Sequence, residues 1–437
     1  MAKTRRVKAT KAKGKSKILL GAIADDIAGA TDLCDVLVGQ GMRTVLEIGV
    51  PRNDEPALDA DAVVIALSTR TGPAKAAVRQ SLAALRWLQA RGAKQIFFKY
   101  RPTFDSTNRG NIGPVADALL DAMDEDFTVI CPAFPTAGRT LFQGHLFVDN
   151  LLLSESFMRT HPATPMKQSN LIKVLGRQTR HKVDLVPHAV VTAGPDAIAN
   201  RLKRLRKAGN RFAIVDAVTD RNLVDTGIAC RDMKLVTGSS GAALALPKNF
   251  RRAGLLGPDS GADILPPPKG FAAVVAGSCS EATLVQIEHM KKHHPAFFID
   301  GMKLGGKRDI AKEALEWAKP KLADGPVLIY SSAHADKVKK VQRKHGVQKA
   351  GDLIEGCLAK TSRGLVKAGV GQMIVAGGLT SAKTIAALKI HALRIGHQID
   401  PGVPWTLTLD EPPIHLALKA GNFGDEDFFT RAFDALK

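Results

Sequence analysis

Apolar residues along this chain fall in short runs, separated by stretches where apolar positions recur every three to four residues. Ile18–Ile23, Arg43–Ile48, Ala62–Ala66, Gln95–Lys99, Thr128–Cys131, Ala189–Thr192 and Phe212–Asp216 read as strands. Several are apolar at nearly every position, which suits strands covered on both faces. Between them, Pro73–Arg91 and Pro114–Met123 carry helical spacing. This βαβα rhythm predicts a mostly parallel sheet flanked by helices. It halts over 256–269, where Gly257-Pro258 and Pro266-Pro267-Pro268 mark a linker. A second α/β series starts at Phe271–Ala276 and continues through Pro326–Tyr330 and Gln372–Ala376. The expected organisation is a tail over 1–17, one α/β domain over 18–255, the linker, and a second α/β domain over 270–437. Each domain should hold a mostly parallel sheet, with the ligand in the cleft between them.

Length agrees, since 437 residues exceed what one ordinary core serves. Of the net charge of +20, the tail supplies eight Lys/Arg and no acid, leaving +12 on the body. A run of that composition is expected to be disordered and solvated. No aromatic interleaves with it, so nucleic acid is not the expected partner. The body's positive charge suits anionic substrates such as nucleotides and acid sugars. No apolar run reaches membrane-span length, so no membrane partner is expected. The five cysteines are odd in number and lack CxxC spacing, which points to reduced thiols in the cytoplasm. Histidines show no zinc spacing, and a homo-oligomer stays open.

The candidate chemistry lies in turns that follow strands, where open α/β sheets bind ligands. Asp25-Asp26 follow the first strand and precede an apolar-periodic run. Adjacent carboxylates repel unless a cation, a sugar hydroxyl or a transferable proton lies between them. The plainer alternative is that Asp26 caps the next helix and Asp25 is solvated. Arg70 follows the strand at Ala62–Ala66 and could hold a carboxylate. Lys99 closes the next strand and leads into Thr103-Phe104-Asp105-Ser106-Thr107. In the second half, Gly277-Ser278-Cys279-Ser280 and Gly377-Gly378-Leu379-Thr380 each follow a strand and could cradle phosphate. Neither is a Walker loop or a GxGxxG motif, and helix caps explain them about as well.

Together these segments resemble the four-carbon acid sugar kinase family, nearly end to end. The most specific matches are Asp25-Asp26, Phe104-Asp105-Ser106-Thr107 with Gly110-Asn111-Ile112-Gly113-Pro114, and Cys131-Pro132-Ala133-Phe134-Pro135. Gly144-His145-Leu146-Phe147-Val148, Gly277-Ser278-Cys279-Ser280 and Gly421-Asn422-Phe423-Gly424 also match. The resemblance implies an acid-sugar-binding first domain and a nucleotide-binding second domain. It implies transfer of the γ-phosphoryl of ATP, with Mg²⁺, to the terminal hydroxyl of a four-carbon sugar acid. Asp25 and Asp26 would be catalytic, and Arg70, Lys99 and Asp105 would face the sugar acid. Ser278, Ser280, Gly377, Gly378, Leu379, Thr380 and Gly421 would contact ATP. The chain departs from the family pattern at Ala28, Arg101-Pro102, Ser239, Leu379 and near Ala382-Lys383. These departures motivate a rival reading, a diverged regulatory protein that binds acid sugar or nucleotide.

Overall fold

The computed structural model describes residues 18–52, 59–161, 164–258, 261–400 and 402–436. The basic segment 1–17, expected to be disordered, lies outside the described residues. The first half holds β1 (Leu20–Ala24), β2 (Thr44–Ile48), β3 (Ala62–Ala66), β4 (Gln95–Lys99) and β5 (Thr128–Cys131). A small antiparallel sheet follows, built from β6 (Arg139–Phe142), β7 (His145–Val148) and β8 (Leu151–Leu152). Then come β9 (Lys182–Val186), β10 (Asn210–Val215) and β11 (Leu235–Gly238). The main strands pair in parallel in the order β2-β3-β1-β4-β11-β5-β10-β9. Every residue of β1, β3 and β4 is buried, as the unbroken apolar runs of β1 and β3 require of a sheet covered on both faces, and β4 buries Gln95 and Lys99 at its ends as well.

One expected strand is a helix. Ala189–Thr192 falls on the short helix His188–Val191, and the strand is the preceding β9. Pro187 has no N–H to continue a ladder, and Asp216 Oδ2 accepts from His188 N at 2.9 Å. The chain is therefore turned before its β-branched run begins, and Val191 is buried from the helix instead.

The second half holds β12 (Phe271–Ala276), β13 (Ala296–Phe298), β14 (Val327–Tyr330), β15 (Val370–Ala376), β16 (Ala392–Asp400), β17 (Val403–Thr408) and β18 (His415–Lys419). The order β13-β14-β12-β15-β18 is parallel throughout. From β18 the sheet continues through β17 and β16 by antiparallel pairing, and β16 pairs antiparallel with β2. Leu393 stands opposite Leu46, and Arg394 opposite Val45. The two parallel halves are thus one sheet, bridged by β17 and β16 through three antiparallel pairings. Trp405 of β17 is fully buried in the bridge among Phe428, Phe429 and Phe433, and its indole N–H donates to Ala432 O at 2.8 Å. A second link between the halves runs from Gln398 Nε2 to Asp35 Oδ2, at 2.5 Å.

Candidate active site

Strands β3, β1 and β4 are neighbours, so the turns that leave their carboxyl ends meet. Asp25 is clamped by main chain on both sides: its N–H donates to Lys99 O, and its carbonyl accepts from Thr69 N and Arg70 N. The side chain is 5% exposed, and its Oδ1 has no hydrogen-bond partner. Asp26 caps the helix Ile27–Gly39, accepting from Gly29 N at 2.6 Å. Its other oxygen accepts from Arg70 Nη1 at 2.6 Å and from Arg101 Nε at 3.0 Å. The plainer sequence reading thus holds for Asp26 and fails for Asp25, which is buried rather than solvated.

Lys99 is fully buried, with Nζ donating to Tyr100 O at 3.1 Å. Gly29 leaves room for it, since a Cβ there would stand 2.9 Å from that Nζ. Asp105 is buried, accepts from Thr103 Oγ1 and lies 3.8 Å from Arg70 Nε. Phe104, at φ +48°, holds a left-handed conformation to turn Asp105 inward. Asn111 Nδ2 donates to Thr69 O and Gly72 O, tying the Arg70 turn to the helix Ile112–Ala122.

The two adjacent carboxyls are driven apart electrostatically. Burial, helped by Asp26, pushes Asp25 up to about 7, against the pull of Lys99 and Arg70. Burial works against the charge on Asp26 as well, but Arg101, the Gly29 N–H and Arg70 outweigh it and hold this carboxyl below its ordinary value. Asp26 is a fixed anion, and Asp25 can take or give a proton near neutral pH.

In the second half, the turns after β12, β15 and β18 also meet. Ser280 caps the helix Glu281–Lys291, and its hydroxyl donates to Gly421 O at 2.6 Å. Ser278 Oγ accepts from Ser280 N at 3.2 Å. A Cβ on Gly421 would collide with both serines. Gly377, at φ +129°, precedes the helix Gly378–Leu388, a conformation that favours glycine. Thr380 is buried, while Leu379 is 70% exposed. Lys419 is fully buried and donates to Ala420 O, Gly421 O and Phe423 O at 3.0–3.2 Å. Gln286 Nε2 donates to Phe423 O, Gly424 O and Asp425 O. The Gly421–Gly424 loop is therefore pinned from beneath. A cavity of about 380 Å³ opens beside these turns, lined by Gly277, Met302, Ser331, Val341 and Ile354 among others.

The structure gathers Asp25, Asp26, Arg70, Lys99 and Asp105 into one cluster, and Ser278, Ser280, Gly377, Thr380 and Gly421 into another. Gly378 and Leu379 face outward at the helix start. Sequence reasoning missed Arg101 as a member of the first cluster, although it stood out as a departure. It matched Ala417-Leu418-Lys419 to the family without giving Lys419 a role, and it missed Gln286 and Glu355 beneath the second.

Two family models cover the chain. A sugar-binding amino-terminal domain matches residues 20–246, and a nucleotide-binding carboxyl-terminal domain matches residues 273–429. Fold and family models thus define a two-domain protein with a sugar-binding first half and a nucleotide-binding second half. The 3-oxo-tetronate kinase of Burkholderia multivorans is 51% identical over 421 residues, covering 96% of this chain and 98% of its own length. That of Cupriavidus necator is 51% identical over 423 residues, covering 96% and 97%. The crystal structure of the Haemophilus influenzae protein HI1011 matches with a TM-score of 0.88 at 41% identity, over 95% of this chain and 100% of that one. The chain belongs to the four-carbon acid sugar kinase family, alongside the 3-oxo-tetronate kinases.

Proposed function

We propose that this protein transfers the γ-phosphoryl group of ATP to the terminal hydroxyl of 3-oxo-tetronate, giving 3-oxo-tetronate 4-phosphate and ADP. The observation that carries the mechanism is Asp25: a buried carboxyl with a bare oxygen, titrating near neutrality amid Lys99 and Arg70. Asp25 accepts the proton of the terminal hydroxyl as that oxygen bonds to the γ-phosphorus and the bond to the β-phosphate oxygen breaks. Arg70 and Arg101 hold the substrate's carboxylate, with Asp26 fixing both guanidiniums meanwhile. Lys99 and Asp105 position the remaining hydroxyl and oxo oxygens.

The nucleotide's phosphates meet the main-chain N–H groups of the Ser278–Ser280 and Gly377–Thr380 turns and the Gly421 loop. Exposed Leu379 costs little there, because the turn works through its backbone. Among the described residues no three His, Cys, Asp or Glu side chains cluster as metal ligands. Mg²⁺ brought in with the nucleotide's phosphates would neutralise charge on the transferring group. The carboxyl ends of β1 and β12 run in opposite senses along the sheet, separated by seven strand steps. Twist of about 20–25° per step would turn the strand direction by roughly 140–175°, bringing the two clusters to one side.

The test is ADP release by purified protein across a panel of four-carbon acid sugars. Release that depends on 3-oxo-tetronate supports the reading. Folded protein that releases ADP with none of them would overturn it.

A further inference from the structure

Glu355 stands on the helix Val347–Lys367, beside the nucleotide turns but outside every motif in the sequence. Its Oε1 accepts from Thr380 Oγ1 at 3.2 Å. Its Oε2 is buried with no hydrogen-bond partner. Native structures rarely leave a buried carboxylate oxygen bare, so this one calls for a donor from outside the chain. The carboxylate also touches the first phosphate turn, with Oε1 3.3 Å from where a Cβ on Gly277 would stand.

The same helix then becomes a wall of the 380 Å³ cavity. Ile354, Ala350 and Val347 line it away from the turns, facing Val338 and Val341. Val347 lies about 12 Å along the helix axis from Glu355 at 1.5 Å per residue. Glu355 therefore marks the border between an apolar compartment and the phosphate turns. A nucleoside diphosphate with its base in that compartment and its phosphates on the turns places its ribose at this border. Ribose hydroxyls are donors, and the bare Oε2 is an acceptor. Asp300 lines the cavity too, but its Oδ1 already accepts from Met302 N at 2.9 Å.

We infer that Glu355 Oε2 accepts a hydrogen bond from a ribose hydroxyl of the bound nucleotide, so that this residue selects the nucleotide's sugar. The inference rests on the kinase reading of the second half and assigns the sugar contact within it. Neither a glycine-rich turn nor a metal is needed for such selection.

The experiment is calorimetric binding of ADP, 2′-deoxy-ADP and 3′-deoxy-ADP to the full chain, to Glu355→Gln and to Glu355→Ala, with and without Mg²⁺. The parent is expected to bind ADP about tenfold or more tighter than one deoxy form, the worth of one hydrogen bond to a charged group. Glu355→Ala is expected to bind all three nucleotides alike. The near-isosteric Glu355→Gln, which keeps the helix packing, is expected to lose most of the discrimination and serves if the alanine variant does not fold. A parent that does not discriminate, or variants that keep the discrimination, would overturn the inference. So would variants in which only the Mg²⁺ dependence changes. A folded parent that binds no adenine nucleotide at all overturns the kinase reading itself.

Discussion

Burial raises the Asp25 carboxyl to about 7, and two measurable effects come from that one proton. As the base, Asp25 must be ionised, so kcat/KM should rise with pH through about 7 and then level. Asp25→Asn should lower turnover by roughly 10²–10⁴-fold and remove that rise. Stability should run the other way. The folded state raises this carboxyl above its unfolded value, so its contribution is full below about pH 4 and is lost as pH climbs through about 7. Asp25→Asn, permanently neutral, should therefore resist urea better than the parent at pH 8, with the gain closing toward pH 4. An equal gain at both pH values would refute the assignment. Arg101 adds a third prediction at this scale. Arg101→Ala leaves Arg70 alone on Asp26, and KM for the acid sugar should rise about tenfold. Steady-state kinetics checks this, and an unchanged KM would reduce Arg101 to a brace for Asp26.

At the scale of elements, Lys419 is the test of how a glycine loop keeps its shape. Burial lowers its pKa to about 8, yet its amine meets three carbonyls of the Ala420–Phe423 turn. Lys419→Met fills the volume and removes the amine from all three carbonyls, leaving Gly421 O to the Ser280 and Thr283 hydroxyls and Phe423 O to Gln286. Calorimetry should show ADP affinity falling about tenfold while acid-sugar affinity holds. Equal losses on both ligands would point to general unfolding instead.

Elements are also where the sequence was most and least legible. Strands such as β1 and β3 were plain because burial on both faces demands unbroken apolar runs. Ala189–Thr192 misled for the same reason: its valines are apolar for a helix face, and the deciding signals, Pro187 and the distant Asp216, are not periodic. Asp25, Arg70, Lys99 and Asp105 could be grouped because each follows a strand. Glu355 and Gln286 sit mid-helix and point at turns far away in sequence, so no local pattern exposes them. The β16–β18 bridge was invisible because pairing β16 with β2 joins residues some 350 positions apart, a choice made by tertiary packing.

For the whole molecule, that bridge decides what can stand alone. β2 has β3 on one side and β16 on the other. Without the second half, a row of N–H and C=O groups beside Val45 and Leu46 would face water as an open edge, a template for pairing with other chains. A chain ended at residue 255 is expected to self-associate, with gel filtration showing mass above the monomer. A clean monomer would mean that the edge is protected by other means.

The same pairing has a consequence in time. β2 is complete once residue 48 has been made, but its partner β16 ends only at residue 400. At about 5–20 residues per second, a nascent chain carries that edge uncovered for roughly 20–70 s on the ribosome. Joining two domains into one sheet thus sets a waiting period in biosynthesis, during which the outer edge of residues 44–48 has no partner strand from its own chain.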